Sequence, residues 1–338
     1  MDTLTHIVLG ACIGELVAGK TIGKKAMLLG AVAQLIPDID VVSHLWLDNV
    51  NSLIAHRGIT HSLLFALLMA TVLALISKKL SGLLSGVSFR KWFFLYSINI
   101  SAHLFVDCLN TYGTGLFEPF SDQRISFHSI FVIDPFFSFW PFLAFIFLLC
   151  LRSGLPSRKI WAGTGLFLSL VYIVYAVANK WTVEKALRQN IESRHIIAQD
   201  YFITPTPMNS WLWFIAIKER EGYYTGYRSV FDRNSGIDFS YVRQNDFLLN
   251  NIRNKEEVSL LKKFSGEFYT VERQQDSLLV FNVLRFGQVT GWKDAKDKFA
   301  FYYYLDSTGN NDLVVQRGRF ENWSKETFRA MLHRIKGN

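Results

Sequence analysis

HRGITHSLLFALLMATVLALIS, residues 56–77, sets two histidines around an arginine and a glycine and then runs for sixteen residues without a charge, until Lys78 and Lys79 end it. A helix needs about 20 apolar residues to cross the roughly 30 Å of a bilayer's hydrocarbon. This run comes close, and it spans if it recruits its flanks. Three further runs have the same character: 92–109 (WFFLYSINISAHLFVDCL), 136–151 (FFSFWPFLAFIFLLCL) and 160–178 (IWAGTGLFLSLVYIVYAVA). Two shorter apolar stretches, 7–18 and 26–36, read as a tight helical hairpin packed against the others. The expectation is an α-helical membrane bundle of four to six helices.

Beyond residue 179 the composition changes. Residues 180–338 hold 24 of the 36 Lys+Arg and 19 of the 28 Asp+Glu. The chain divides on this reading into a membrane-embedded domain, 1–179, and a soluble α+β domain, 180–338. The second begins with a polar helix near 181–195 and continues in strand-like runs at 211–217, 223–231, 278–286 and 299–305, rich in aromatic and β-branched residues. A closing helix is expected near 324–335. The net charge of +8 is no nucleic-acid footprint, because the basic residues sit in short loops or among acids. Cys12, Cys108 and Cys150 lie in apolar surroundings without a CxxC pair, and read as small buried hydrophobes. The N-terminus lacks the basic n-region of a signal peptide, with Asp2 in its place.

Direction follows from charge. The loops 19–25, 78–91 and 152–159 carry ten basic residues, whereas the alternate segments 37–61 and 111–135 carry only Arg57 and Arg124. The positive-inside rule places the ten on the cytoplasmic side. Segments 37–61 and 111–135, and the C-terminal domain, then face outward.

Ionisable residues beside or inside membrane helices are costly and face a cavity or one another. Here they gather on that outward side: His6, Asp38, Asp40, His56, His61, His103, Asp107 and Asp134. His103 and Asp107, four apart, share one helix face. Imidazole nitrogen and carboxylate oxygen suit zinc, and also manganese or iron. A buried His–Asp hydrogen bond between helices would explain that pair alone; the convergence of the others favours a divalent metal. The expected ligands come from His6, Asp40, His56, His61, His103 and Asp107. Asp38 or Asp134 is the expected general base. Arg57 is expected to bind an anionic group, or else to pair with a loop carboxylate. Gly58 and Gly113 are expected to permit tight turns.

Thr5-His6 with Gly10, Pro37-Asp38-Ile39-Asp40, His56 to Ser62, His103-x-x-x-Asp107, Asn110-Thr111-Tyr112-Gly113-Thr114 and Ile133-Asp134-Pro135 together resemble the bacterial membrane-bound metal-dependent hydrolases of the YdjM type, over residues 1–180. That resemblance implies an inner-membrane location, His/Asp metal ligands and a hydrolase. The group is distantly similar to the zinc phospholipase C and single-strand nuclease enzymes, whose His-x-x-x-Asp pair His103 and Asp107 match; their His-x-x-x-Glu partner is not evident. The reading is a multi-pass inner-membrane hydrolase with a periplasmic C-terminal domain, using zinc or manganese on a lipid, phosphoester or other membrane-proximal substrate. Its partner is the bilayer, and no nucleic-acid partner is indicated. The rivals are an ion- or proton-coupled transporter and a non-enzymatic envelope scaffold with a structural metal.

Overall fold

The computed structural model describes residues 1–47, 49–81, 87–274, 278–306, 314–315 and 323–337. Residues 82–86 of the 78–91 loop therefore lie outside the described residues. The chain forms two compact units, one of residues 1–43, 55–127 and 132–175, the other of 44–54, 128–131 and 176–338.

The first unit is helical. The stretch expected at 7–18 is longer: α1 runs over Thr3–Ile22, started by Asp2, whose carboxylate accepts the Thr5 N–H. α2 (Lys25–Leu35) follows after a turn at Gly23. The crossing of α1 and α2 is close because glycines line it. A Cβ at Gly30 would stand 2.1 Å from the Gly10 carbonyl oxygen, and one at Gly14 2.1 Å from that of Ala26. Small residues four apart are how lipid-embedded helices bring their backbones together. A 3-10 segment, Pro37–Leu45, continues from α2 with a 51° bend, where Pro37 brings no backbone N–H to a helical ladder. Then come a 3-10 turn at Ile59–His61, α4 (Leu63–Ser81), α5 (Phe89–Cys108), α6 (Pro135–Cys150) and the first half of α7 (Pro156–Ser193); α3 (Asn49–Ala55), all but its last residue, and α7 from Ala176 belong to the second unit.

α4 packs with its small side inward. Ala66, Ala70 and Ala74, four apart, are buried, whereas Leu67, Leu68, Leu75 and Ile76 are exposed. Large apolar side chains on the outside mark a lipid-facing helix. α1, α4 and α7 are long and apolar enough to cross a membrane, and the bent α2 pair makes a fourth if it counts as one span. Among the described residues, the expected count of four to six is three to four by length and hydropathy. α5 is diluted by Arg90, Lys91, Asn99, His103 and Asp107, and α6 has only 16 residues.

Two other expectations change. No break separates the last span from the polar helix near 181–195: α7 is one helix of 38 residues. Cys12 and Cys108 are buried, but Cys150, at the end of α6, is exposed. Arg158, counted among the cytoplasmic loop cations, is buried on α7, where its guanidinium donates to both oxygens of Glu15 on α1 at 2.9 and 2.7 Å. It also donates to the carbonyls of Leu148 and Leu151 at the end of α6. Nine basic residues remain against two, and the bias keeps its sign.

The second unit holds two antiparallel sheets: β1 (Asp200–Pro205), β2 (Leu212–Lys218), β3 (Gly222–Ser229) and β4 (Phe239–Arg243) in that order, then β5 (Tyr269–Arg273), β6 (Leu278–Val283), β7 (Tyr302–Asp306) and β8 (Val314–Val315). α8 (Lys255–Ser265) leads into the second sheet, and α9 (Lys325–Ile335) is the expected closing helix. β2 is buried along almost its whole length, as expected of WLWFIAI.

Candidate metal centre

Four elements of the first unit deliver the site. α5 presents His103 and Asp107 on one face, both fully buried. The 3-10 segment after α2 presents Asp38 and Asp40. The 3-10 turn before α4 ends on His61, also fully buried. α1 presents His6 from one turn before the Gly10 crossing.

Asp38, His61, His103 and Asp107 each offer one ligand atom, and these atoms lie within 4.8 Å of one another. His61 Nε2 is 3.1 Å from His103 Nε2, 3.5 Å from Asp38 Oδ1 and 3.5 Å from Asp107 Oδ2; His103 Nε2 is 3.6 Å from each of the same two oxygens. Zinc binds nitrogen and oxygen at about 2.0–2.2 Å, so ligand atoms at the corners of a tetrahedron around it stand about 3.3–3.6 Å apart. Five of the six edges here are near that length. Asp107 Oδ2 is buried and faces both imidazole nitrogens, with the Arg57 guanidinium on its other side at 3.0 Å. Donor set and spacing both fit a divalent cation.

The other expected residues surround this quartet. Asp40 stands behind His61: it accepts the Arg57 backbone N–H at 2.7 Å and the Thr60 hydroxyl at 3.3 Å, and lies 3.1 Å from His56 Nδ1 and 3.4 Å from His61 Nδ1. His6 stacks on His103 with ring centroids 3.9 Å apart, its Nε2 3.3 Å from Asp107 Oδ1 and its Nδ1 3.2 Å from Gln34 Oε1. The Met1 amino group also contacts Asp107 Oδ1. Arg57 is buried, with Nε 3.0 Å from Asp107 Oδ2, Nη1 donating to Asn110 Oδ1 at 2.8 Å, and its guanidinium over the Tyr112 ring. This is the expected alternative to anion binding, except that the partner is Asp107. His56 is part-exposed.

Asp134 is not brought to the quartet by any contact among the described residues. It caps α6, accepting the N–H groups of Phe136 and Phe137 at 3.0 and 3.3 Å and the Tyr172 hydroxyl at 2.8 Å. The positive φ expected beside the site falls on Gly113 (+81°) and on Arg57 (+61°) rather than on Gly58 (−85°). Gly58 is required for space instead, since a Cβ would stand 3.0 Å from both the Ala55 carbonyl oxygen and Glu118 Oε2. Thr60, Gln34 and Asn110 complete the site and were not singled out from sequence as site residues. Gln34, a lone amide in the apolar stretch 26–36, carried a usable signal.

Burial alone would lower the pKa of His61, but hydrogen bonding to Asp107, Asp38 and Asp40 outweighs it and pushes the imidazole up to about 9.

Residues 1–183 match the YdjM inner membrane protein family. The chain belongs to that family. Among curated relatives, it is 28% identical over 239 residues to the uncharacterized protein YfhP of Bacillus subtilis (strain 168), covering 67% of this chain and 68% of that one. It is 30% identical over 125 residues to inner membrane protein YbcI of Escherichia coli (strain K12), covering 36% of this chain and 69% of that one. No solved structure matches. This YdjM-family chain is therefore a membrane protein with a His/Asp cluster that could hold a metal ion.

Proposed function

We propose that this YdjM-family protein is a membrane-embedded, metal-dependent hydrolase. One divalent cation, zinc in first place and manganese in second, is held by Asp38, His61, His103 and Asp107. The observation that carries the reading is the set of edges, 3.1–3.6 Å, around His61 and His103 Nε2. When bound, the cation supplies Lewis acidity toward water or a phosphoryl oxygen.

The chain's own residues supply the rest. Asp40 holds Nδ1 of His61, which fixes the tautomer that leaves the Nε2 lone pair facing the quartet. Arg57 positions Asp107 and is itself anchored by Asn110. His56, held at Nδ1 by Asp40 and part-exposed, is placed to pass a proton between the site and water. Asp38, 28% exposed, is the ligand nearest solvent, so substrate enters from its side. Asp134 serves α6 and takes no part in the chemistry.

A phosphoester or other membrane-proximal substrate is favoured. Ile39 and Val41, on the segment that carries Asp38, and Ile59, on the turn that carries His61, are exposed apolar side chains beside the site and suit contact with lipid. On this reading α5 and α6 pack within the membrane bundle, and the nine-to-two charge bias supports a periplasmic side for the site and the C-terminal domain.

Elemental analysis of the detergent-purified protein tests this, with His61→Ala/Asp107→Ala beside it. About one zinc or manganese per chain, lost in the folded double variant, with phosphomonoester or phosphodiester cleavage lost in parallel, is the expected result. A wild type that takes up no metal on reconstitution overturns the reading.

A further inference from the structure

α5 carries a stripe of polar residues at every fourth position, Asn99, His103 and Asp107, all fully buried. The last two belong to the metal centre, and Asn99 lies one turn before them. A buried amide among apolar neighbours is costly unless both of its ends find partners. One end of Asn99 does: Nδ2 donates to the Leu95 carbonyl at 2.7 Å. That bond fixes which way the amide points. Its strong acceptor, Oδ1, is buried without a hydrogen-bond partner.

Two buried donors match it. His103 turns Nε2 to the quartet, and its other nitrogen, Nδ1, has no hydrogen-bond partner; neither has Gln34 Nε2 on α2. The three residues belong to one packed group. The His103 ring stacks on His6 at 3.9 Å, His6 Nδ1 lies 3.2 Å from Gln34 Oε1, and Gln34 lies over Gly10, where a Cβ would stand 2.6 Å from its Cγ. Helical side chains lean toward the N-terminus, so the His103 ring leans over the turn that carries Asn99. An amide oxygen has two lone pairs, so one acceptor has room for both donors. Ser97 Oγ, the other orphaned side-chain oxygen on α5, lies off this stripe.

A histidine that binds a cation through Nε2 carries its proton on Nδ1, and that N–H needs an acceptor in a dry interior. His61 has Asp40 for this purpose. We propose that Asn99 does the same for His103. Its Oδ1 takes the Nδ1–H, directly or through one water, and holds the ring in the tautomer that aims Nε2 at the cation. Gln34 Nε2 donates to the same oxygen, which ties α2, and the Asp38 segment that continues from it, to the ring. An amide suits the place because it accepts a hydrogen bond without adding a fourth negative charge to Asp38, Asp40 and Asp107. Asn99 is thus a positioning residue that acts through His103, and its role rests on the metal-dependent reading of the site.

Competition with a chromophoric zinc chelator, on the full-length protein in detergent, tests this as a double-mutant cycle. Asn99→Leu, close in size and without an acceptor, is expected to weaken zinc binding about 10–100-fold. In a His103→Ala background the same change is expected to cost less than about twofold, because the residue it acts through is gone. A merely structural Asn99 would cost the same in both. Asn99→Asp keeps an acceptor oxygen in either protonation state and is expected to bind zinc within about threefold of the wild type. Asn99→Ala, which removes the acceptor without adding bulk, carries the test if Asn99→Leu fails to fold. Wild-type zinc affinity in Asn99→Leu, an equal loss with and without His103, or an Asn99→Asp protein as weak as Asn99→Leu overturns the proposal and leaves the metal centre standing. A wild type that takes up no metal overturns both.

Discussion

Replacing Asp40 by Asn changes two atoms' worth of chemistry and leaves the shape of the site alone. In the native site Asp40 faces four donors: the Arg57 N–H, the Thr60 hydroxyl, His56 Nδ1 and His61 Nδ1. An amide keeps one acceptor oxygen and turns the other into an NH2 donor. If the NH2 group meets His61, Nδ1 becomes the acceptor, and the ring proton moves to Nε2, the atom that must be bare to bind a cation. If it meets His56 instead, the Arg57 and Thr60 donors still have their oxygen, but the negative charge behind His61 is gone. Either way His61 loses the charged partner behind it, which costs about 10–100-fold in metal affinity, or about 1.4–2.7 kcal/mol. Competition with a chromophoric zinc chelator in detergent reads this directly, with circular dichroism to confirm that helix content is unchanged. His61→Ala, which removes a ligand, should bind more weakly still. An Asp40→Asn protein with wild-type zinc affinity would refute the argument that Asp40 orients His61.

Further outcomes follow from the same geometry. His61 is pushed up to about 9 in the metal-free site, so metal must displace its proton: apparent affinity should rise about tenfold per pH unit from pH 6.5 to 8.5, and a flat competition curve across that range would count against it. A raised imidazole pKa also means that the folded metal-free protein keeps a proton the unfolded chain gives up near 6.5. Metal-free stability is thus highest below that pH and declines as pH rises through 9, visible in melting temperature against pH. Glu15→Ala leaves the buried Arg158 guanidinium without its carboxylate and should destabilise by about 3–5 kcal/mol, read as a lower melting temperature in detergent; an unchanged melt would mean that Arg158 escapes to water. Gly30→Val forces a side chain against the Gly10 carbonyl and should cost about 1–3 kcal/mol; chelator competition should show weakened metal binding too, because α1 carries His6 into the site.

The amount of this arrangement legible in the sequence differs from element to element, for physical reasons. His103 and Asp107 could be paired in advance because four residues along an α-helix return to the same face. The choice between Asp38 and Asp40 could not be made. They sit two apart in a 3-10 segment, where three residues complete a turn and positions i and i+2 point in different directions. Which of them faces the quartet depends on the angle at which the segment leaves α2. Sequence therefore put both acids near the site, with Asp40 expected as ligand and Asp38 as base, and the structure groups Asp38 with His61, His103 and Asp107 and sets Asp40 behind His61. Glu15 carried a readable signal, a lone acid in an apolar helix, but its partner Arg158 was absorbed into a loop count. In the second unit the aromatic strands β2, β3, β6 and β7 stood out. The more polar β4 and β5 did not, nor did α8, whose neighbours in sequence are loop-like.

The charge of the cluster argues for one cation rather than two or three. Asp38, Asp40 and Asp107 bring three negative side chains into a space a few ångströms across, and Arg57 returns one positive charge through its contact with Asp107. With the histidines neutral, as metal ligands must be, the side chains sum to about two negative charges, less whatever charge the Met1 amino group on Asp107 keeps, so one divalent ion meets or exceeds that charge. A second ion would leave the buried site with excess positive charge, and like-charge repulsion in a low-dielectric interior is severe. The donor geometry agrees. Nδ1 of His61 and of His56 and both oxygens of Asp40 are engaged with one another, the Arg57 backbone and Thr60, so the groups that would build a second shell of ligands already brace the first. What the arrangement provides is a place where a single cation could be held, at the meeting of α5, the segment that follows α2 and the turn that precedes α4, with Asp38 as the group nearest to solvent.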